Sequence, residues 1–596
     1  MSYGRIWPAR FVPCAAGALV IALADQAAVR ASFGPFDARF WLKAAVLAVA
    51  LSVLFVAGER LLTAVPRTGR GSIAHRAASM RILAPVRVAA AWFEGLRAVP
   101  RLAVSAMLIL LCWAPVIVMM FPGAIWYDTG DQIAQFLAVA GQGGAAAAVS
   151  AHHPVFDTIV FGSSAWLGEA AAGDWRVGIG AYLAVQVAVT CTELAGMCLY
   201  ARHIGCGRAP AAGMLLFFAV FPAFPIFTMS VVKDTLHMMF LIPWLLMVVE
   251  TVRTRLDALS SPRFLAGFLA VSTLCALTTM TGLYIVALTL FCLVPLHAPA
   301  RRRLAALGCA MAVALVAGVV FPAAVRGPLR VRGEDANQLL VVPMQMTARY
   351  ALDHPGDVTT RERAAIDRVN RVPFERMARR YNPYLADPVI QYSLRDPSAV
   401  PEYLEAWLAM GVRHPDSYLI AFAALESGWC SLERTPLDTT SRGIPLETLD
   451  RHAADATANT MWFQINDAVS PSFRPLAGKT PAKAGRAAAY RLWDAWRGTT
   501  VPNPAALTAT WTFILPLFLL FHGFGCAGRR PRWVPFAIPL VWSLLALLPN
   551  AISLPLKPTA TRYMMWAPVM VPLMLALLRA DAVAPSRLWG IRGRRA

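Results

Sequence analysis

The residues best suited to chemistry are two carboxylates that follow an apolar run. Asp128 and Asp131 stand in Phe-Pro-Gly-Ala-Ile-Trp-Tyr-Asp-Thr-Gly-Asp-Gln, residues 121–132. A carboxylate at the edge of an apolar region can take the proton of a hydroxyl group, as a general base does. Asp131 has an equally good structural explanation, since it could cap the short helix predicted for 132–140. Capping uses one carboxylate, so Asp128 is the better candidate for the base.

A second polar cluster contains two adjacent histidines. It has the sequence Ala-His-His-Pro-Val-Phe-Asp, and it opens an apolar stretch at 155–168 that we expect to lie as a helix at the membrane interface. His152 and His153 could ligate a metal, but neighbouring side chains seldom point to one ion. The sequence therefore favours a positioning or hydrogen-bonding role for them.

Lysine is rare in this chain, and one lysine stands in a notable place. Lys233, in Ser-Val-Val-Lys-Asp-Thr at 230–235, is one of five lysines against 50 arginines. It could form a neighbour pair with Asp234 while its ammonium group reaches the interface. Alternatively, it could hold an anionic headgroup or a phosphate.

Two further turns carry hydroxyl and basic groups. The first, Thr-Thr-Met-Thr-Gly-Leu-Tyr, ends at Tyr284, and the second, Leu-Lys-Pro-Thr-Ala-Thr-Arg-Tyr, contains Lys557 and Arg562 and ends at Tyr563. Basic groups and carboxylates beside an apolar bundle suit an amphiphile with an anionic head, such as a lipid phosphate that carries a polar group.

The composition shows what must position these residues. The chain has 596 residues, of which 58% are hydrophobic and 15% charged, and its mean hydropathy is +0.54. Soluble domains average about 25% charged residues, so a wholly soluble protein is excluded. The net charge of +21 is explained by basic cytoplasmic loops and does not require a nucleic-acid partner. The ten cysteines form no CxxC pair and no zinc spacing.

The fold class that follows is a mostly α-helical, polytopic membrane protein with about twelve spans. A span needs about 20 mostly apolar residues. The candidates are 11–29, 43–62, 102–121, 177–199, 209–228, 235–251, 264–280, 283–297, 304–322, 507–527, 533–552 and 562–579. With twelve spans, the arginine clusters fall on one side, which is cytoplasmic by the positive-inside rule. We therefore expect a protein of the cell membrane with both termini inside.

The chain divides into two membrane parts around one outer domain. The first membrane part is 1–322 and carries the extracytoplasmic loop 122–176, and the last is 507–596. Between them, 323–506 is nearly neutral at +2, whereas the membrane parts together carry +19. This long outer segment is predicted to be an α-rich domain with its own core. Cys430 is its single cysteine, so an internal disulfide cannot support it.

The order of these motifs resembles the GT-C superfamily of integral membrane glycosyltransferases. That superfamily includes the protein O-mannosyltransferases, the aminoarabinose transferase and bacterial GT-C-like proteins of mostly unassigned function. The resemblance covers about 100–330 and 505–580 and rests on Pro122-Gly123, Asp128-Thr129, Gln132, His153-Pro154, the Lys-Asp-Thr turn at 233–235, the Thr-Gly-Leu-Tyr turn at 281–284 and the Arg-Tyr pair before the last span. Two features depart from the family pattern: two N-terminal spans, 11–29 and 43–62, precede the span that leads into the loop, and the Asp-Glu pair of the mannosyltransferases is absent.

The resemblance implies an inverting glycosyltransferase that works on the outer face of the membrane. Its donor would be a polyprenyl-phosphate-linked sugar, and its acceptor a cell-envelope glycan, glycolipid or protein. Asp128 or Asp131 would be the general base, Lys233 and Arg562 would hold the donor phosphate, and His153 would shape the pocket. No cofactor is firmly implied, although a divalent metal among Asp128, Asp131 and His153 stays open. The other expected substrate-binding residues are His152, Asp234, Tyr284, Lys557 and Tyr563.

Two other functions compete with the enzyme. The first is a transporter or flippase of lipid-linked sugars, which would need ionisable residues at membrane depth, such as Asp25 and Glu193. The second is a catalytically silent assembly partner built on the GT-C frame. In the enzyme, Asp128 should face an open groove that contains Lys233 and Arg562, whereas a plugged groove would favour the silent partner.

Overall fold

The computed structural model of the chain is mostly helical. It describes residues 6–64, 84–142, 148–333, 339–390, 393–433, 459–465, 467, 470–477, 483–498, 503–525, 530–548 and 560–590. Within these residues, two strands of two residues each, β1 (Ala124–Ile125) and β2 (Ser230–Val231), form a small parallel sheet.

The first part of the chain forms a helical bundle. Its helices are α1 (Ile6–Arg30), α2 (Ala38–Thr63), α3 (Ala84–Gly95), α4 (Ala98–Met120), α5 (Tyr127–Val139), α6 (Val155–Ala172), α7 (Trp175–His203), α8 (Arg208–Val220), α9 (Ala223–Thr228), α10 (Lys233–Arg253), α11 (Pro262–Leu277), α12 (Gly282–Leu293), α13 (Ala300–Leu315) and α14 (Phe321–Arg326). A 3₁₀ turn spans Asp257–Ser260, and the π-helical stretch Val316–Val320 joins α13 to α14.

The remaining helices belong to the long outer segment and the last part of the bundle. They are α15 (Val341–Asp353), α16 (Thr360–Val369), α17 (Phe374–Arg380), α18 (Asp387–Ile390), α19 (Val400–Arg413), α20 (Pro415–Glu426), α21 (Arg474–Ala477), α22 (Lys483–Arg497), α23 (Leu515–Gly525), α24 (Arg530–Leu545), α25 (Trp566–Val583) and α26 (Pro585–Leu588). Shorter 3₁₀ and π turns are Pro397–Ala399, Ser427–Trp429, Thr510–Ile514 and Ala560–Met564.

The apolar helices identify a membrane protein. Among the described residues, seven stretches are long and apolar enough to span a bilayer: Arg10–Arg30, Ala38–Thr63, Ala98–Met120, Trp175–His203, Lys233–Arg253, Ala300–Arg326 and Thr561–Val583. The shorter apolar helices are Arg208–Val220, Pro262–Leu277, Gly282–Leu293, Thr510–Gly525 and Arg532–Leu545. Each of the twelve predicted stretches overlaps one of these helices. The count of twelve spans and the orientation of the chain stay predictions.

The predicted stretch 209–228 is wrong as a single helix. The helix α8 ends at Val220, Phe221 is extended, and α9 begins only at Ala223. Because a residue that precedes proline is pushed out of the helical region, the Phe221-Pro222 step interrupts the helix. The chain then returns through β2 to the start of α10.

The predicted outer domain divides into two parts. Buried side chains between Leu340 and Leu425 form a core of their own, as expected for a domain. The later side chains Trp429, Met461 and Trp493 instead belong to the core of the bundle. The second part of 323–506 therefore packs directly on the membrane part.

Charged side chains of α1 and α2 make contacts near both ends of this helix pair. At one end, Asp25 accepts hydrogen bonds from the Ser431 hydroxyl at 2.8 Å and the Leu432 amide at 2.7 Å. Lys43 lies 2.9 Å from the same carboxylate. At the other end, Arg10 Nη1 donates to Glu59 at 2.8 Å. The contacts of Asp25 therefore tie α1 to the outer segment, and the Arg10–Glu59 pair joins α1 to α2.

Candidate active site

The small parallel sheet brings the two main motifs together. Ala124 is in register with Ser230, so the loop that leads to Asp128 runs beside the turn that leads to Lys233. The chain reaches β1 through Gly123, whose φ of +97° places it in a backbone region that favours glycine. A Cβ atom on this residue would lie 2.3 Å from Leu183 Cδ1.

A buried glutamine holds the second strand in place. Gln186, on α7, accepts a hydrogen bond from the Tyr182 hydroxyl at 2.6 Å. Its amide nitrogen donates to the carbonyl oxygens of Thr228 at 2.6 Å and Ser230 at 3.1 Å. The backbone before Lys233 is therefore fixed by side chains of α7.

Asp128 and Arg562 form the centre of the site. Arg562 Nη2 donates to Asp128 Oδ2 at 2.6 Å, and its Nε lies 3.5 Å from Asp234 Oδ2. The arginine side chain is only 3% exposed, whereas that of Asp128 is 23% exposed. The guanidinium group also lies 5.6 Å from the ring centroid of Trp126 and 4.9 Å from that of Tyr563. Two of its nitrogens, Nε and Nη1, are buried without a hydrogen-bond partner, so this cation retains donor capacity for an anion.

The surrounding charges keep Asp128 ionised. Burial raises the pKa of this carboxyl, but the positive charges of Arg562 and Lys233 outweigh burial and hold the pKa well below its usual range. His153 Nε2 lies 3.9 Å from Asp128 Oδ1. Burial lowers the pKa of His153, so this imidazole is neutral beside the carboxylate.

Lys233 is buried at the first position of α10. Its ammonium nitrogen lies 5.6 Å from the centroid of the Tyr563 ring, and the residue is 7% exposed. Within the described part of the chain, this nitrogen has no ion pair within 4.0 Å and no hydrogen bond. The neighbour-pair explanation therefore fails, because Asp234 lies against Arg562 instead.

The sequence analysis missed one carboxylate, Asp157. It is fully buried on α6, and neither of its oxygens has a hydrogen-bond partner. Burial raises its pKa well above the usual value, although the charge of Lys233 acts in the opposite direction. The available signal was its position in the first turn of an apolar helix, where an ionisable residue near the membrane is costly.

The capping role considered for Asp131 is wrong. The helix α5 begins at Tyr127, and its N-cap residue is Trp126, which makes no side-chain capping bond. Asp131 therefore lies inside the helix, where it accepts hydrogen bonds from the hydroxyl groups of Ser470 and Ser472. These bonds occupy Asp131 and leave Asp128 as the carboxylate that faces the cations.

Ser470 and Ser472 belong to a segment that covers this end of the bundle. We call residues 459–465 and 470–477 the covering segment. Phe473 packs on Gly130, where an added Cβ atom would lie 2.9 Å from the ring. Gln464 donates to the Ile125 carbonyl at 3.1 Å, and the Trp462 amide donates to the Thr561 hydroxyl at 2.7 Å. The covering segment thus contacts α5, β1 and the turn before α25.

A groove opens beside Arg562. Its cavity volume is about 40 Å³, and it is lined by Asp234, His237, Met238, Leu241, Cys275, Thr279, Thr281, Gly282, Ile285, Val286, Ser543, Ala546, Leu547, Arg562, Tyr563 and Trp566. Neither Asp128 nor Lys233 lines it. Arg562 therefore both lines the groove and contacts Asp128.

The other residues predicted for the site differ in their surroundings. His152 packs edge-on against His153, with ring centroids 4.5 Å apart. The side chain of Tyr284 is 66% exposed and does not line the groove. Lys557 lies outside the described residues. Asp128, Asp131 and His153 do not converge into a three-ligand group, since Asp131 turns toward the serines.

Comparisons with known proteins give a family without an assigned activity. Neither a curated protein nor a solved structure matches the chain. A family described as "Family of unknown function (DUF6020)" matches residues 18–578. The match covers most of the chain, which therefore belongs to this family.

Proposed function

We propose that the protein is a membrane glycosyltransferase. It would transfer a sugar from a polyprenyl-phosphate donor to a cell-envelope glycan, glycolipid or protein, with Asp128 as the general base. The observation that carries the proposal is the contact of Asp128 with Arg562, a buried cation that also lines an open groove. A site for such a donor needs a base and a phosphate-binding cation close together, and this contact supplies both.

The low pKa of Asp128 suggests how the donor would switch on the base. A carboxylate held by a cation is a weak base, because a good catalytic base has a pKa near the working pH. A donor phosphate in the groove would compete for Arg562, whose Nε and Nη1 are unpartnered. Loss of the 2.6 Å contact would raise the pKa of Asp128 and free its oxygen for the acceptor.

The transfer then needs one proton movement and one displacement. Asp128 takes the proton of the acceptor hydroxyl, whose oxygen attacks the anomeric carbon of the donor sugar. The bond between that carbon and the phosphate oxygen breaks, and the phosphate leaves with the electron pair. Arg562 and Lys233 would stabilise the charge that grows on the phosphate. The configuration at the anomeric carbon inverts, because the acceptor attacks from the side opposite to the phosphate.

The positive-inside rule favours an outer-face location for this site. The turns between α7 and α8, α10 and α11, and α12 and α13 lie one helix length away from it. The helix ends that flank these turns carry arginines, among them Arg202, Arg253 and Arg302. Basic turns favour the cytoplasmic side, so we expect the acceptor to be an envelope component.

The contacts of Asp25 argue against a transport path through this residue, whereas Glu193 leaves the alternative open. Asp25 was one of two residues considered for a transport path. Its carboxylate accepts hydrogen bonds from Ser431 and Leu432 and forms an ion pair with Lys43. Glu193 is the other, and one of its oxygens is buried without a partner. The groove at Arg562 is lined by neither Asp128 nor Lys233, so it does not separate the enzyme from the silent partner, and the activity of the Asp128→Asn variant decides between them.

Binding of a lipid phosphate is the direct test of the cations. The purified chain in nanodiscs is titrated with a polyprenyl phosphate, and with the matching polyprenol as the uncharged control. We expect the phosphate, but not the alcohol, to raise the melting temperature. Lys233→Gln and Arg562→Gln should each weaken binding at least tenfold, since hydrogen bonds to charged groups contribute about 1.5–3 kcal/mol.

Two outcomes would count against the proposal. Equal binding of the phosphate and the alcohol would show that the site recognises only the lipid chain. Unchanged phosphate binding by Lys233→Gln and Arg562→Gln would show that neither cation contributes to the binding site. Arg176→Gln, which alters an exposed arginine paired with Asp174, serves as the matched control and should bind like the wild type.

A further inference from the structure

Two helices of the outer domain end in the same way, at a histidine followed by proline. The helix α15 ends at Asp353, and His354 has φ −134° and ψ 56°, while α19 ends at Arg413, and His414 has φ −133° and ψ 73°. The proline that follows each histidine forbids a helical conformation. The two imidazole rings consequently stack, with centroids 3.7 Å apart and planes 13° from parallel.

A carboxylate completes a set of three ligand groups. His354, His414 and Asp416 each offer a ligand atom, and these atoms all lie within 4.8 Å of one another. Neither His354 nor Asp416 has a side-chain hydrogen bond or an ion pair to another described residue. No other group of three histidine, cysteine or acidic side chains in the described part of the chain meets the same distance limit.

A fourth residue orients one of the imidazoles. His414 Nε2 lies 3.1 Å from Asp357 Oδ2, which also accepts from the Tyr350 hydroxyl at 2.6 Å and from Arg413 Nε at 3.2 Å. A carboxylate acceptor favours the tautomer with the proton on Nε2, which leaves Nδ1 with a free lone pair. Ligating histidines in metal sites are commonly held in this way by a carboxylate.

We propose that His354, His414 and Asp416 bind a divalent transition-metal ion of the Zn²⁺ class. Two imidazoles and one carboxylate are ligands that Zn²⁺ prefers, and three protein ligands leave a fourth position for water. Bonds of about 2.0–2.2 Å to one metal require the two rings to turn out of their stack, because the metal lies in the plane of each imidazole that binds it. The ion would link the end of α15 to the turn between α19 and α20. This site is independent of the proposed glycosyl transfer.

The experiment is a titration of the full chain in detergent, after removal of any affinity tag and of bound metal by a chelator. Zn²⁺ is titrated by calorimetry, and Co²⁺ is used as a probe with a visible absorption spectrum. We expect one site per chain. His354→Ala and His414→Ala should each lower the affinity at least tenfold, and Asp357→Asn should lower it about 10- to 100-fold by releasing His414.

Two controls separate metal binding from misfolding. His297→Ala changes an exposed histidine outside the outer domain and should keep the wild-type affinity. Asp416→Asn changes an exposed residue, so it should weaken binding while leaving the chelated melting curve unchanged. At a Zn²⁺ concentration of about 100 times Kd, binding should shift the unfolding equilibrium about 100-fold in the wild type.

The proposal is overturned if no stoichiometric Zn²⁺ binds. It is also overturned if His354→Ala and Asp416→Asn bind Zn²⁺ as tightly as the His297→Ala control. Loss of binding in these two variants, with an unchanged melting curve in chelator, would establish the site. If His354→Ala alters the melting curve in chelator, the Zn²⁺ affinity of Asp416→Asn decides whether the site exists.

Discussion

Removal of the positive charge of Arg562 should destabilise the protein strongly. In Arg562→Met, Asp128 loses its 2.6 Å partner and Asp234 loses the cation 3.5 Å away. The arginine side chain is 3% exposed, so water cannot replace the lost contacts. Breaking a buried ion pair by removing one partner costs about 3–5 kcal/mol. We expect a loss in this range, since two carboxylates are left behind.

A double-mutant cycle isolates the pair itself. Asp128→Asn removes one of the two orphaned charges, so Arg562→Met should cost less in that background than in the wild type. Residues in direct contact show coupling energies of about 0.5–3 kcal/mol. The matched control is Arg176→Met, because Arg176 and Asp174 form an exposed pair with side chains 43% and 34% accessible. Exposed pairs contribute about 0–1 kcal/mol.

Unfolding in detergent micelles, followed by tryptophan fluorescence, gives the free energies of unfolding. If Arg562→Met costs no more than Arg176→Met, the buried pair does not contribute as argued. Strict additivity of Asp128→Asn and Arg562→Met would likewise refute a direct interaction. Either result would remove the electrostatic basis for the low pKa of Asp128.

Two other predictions concern the pH dependence and the backbone. Burial raises the pKa of Asp157 above the usual 3.8, so above that pH the folded chain holds a proton that the unfolded chain releases, and stability falls as the pH rises toward the folded pKa. Asp157→Asn should therefore lose less stability than the wild type between about pH 4 and about pH 7. If the free energy of unfolding falls equally steeply with pH in both proteins, Asp157 is not the group that holds the proton. Gly123→Ala should lower the melting temperature more than Gly141→Ala, because both residues have positive φ but only Gly123 lacks space for a Cβ atom; equal losses would show that the close contact with Leu183 is unimportant.

Much of the architecture could be predicted from the sequence. Apolar runs of membrane length leave little choice of structure, and all twelve predicted stretches overlap helices. The break at Phe221 was missed because hydropathy does not register the effect of a proline. The division of 323–506 was also missed, since tryptophans such as Trp429 and Trp493 pack equally well in a domain core or against a bundle.

The sequence predicted most of the residues of the candidate site but not the contacts between them. Asp128 and Arg562 are 434 positions apart, and only a common location at one end of the bundle linked them in the sequence. The partners of Asp131 depend on the path of the covering segment, which no local pattern reveals. Asp157 was missed because its burial depends on how α6 packs on its neighbours. Tertiary packing decided each of these points.

The most direct test of the proposed function is glycosyl transfer by Asp128→Asn. The variant is compared with the wild type and with Asp131→Asn, in cells that otherwise lack the protein, by profiling the envelope glycans and glycoconjugates. Loss of a positioned base typically costs about 10²–10⁴-fold in rate. We expect Asp128→Asn to accumulate normally in the membrane and to lose the glycan that the wild type restores, while Asp131→Asn retains it. Full restoration by Asp128→Asn would contradict the role of Asp128 as the base.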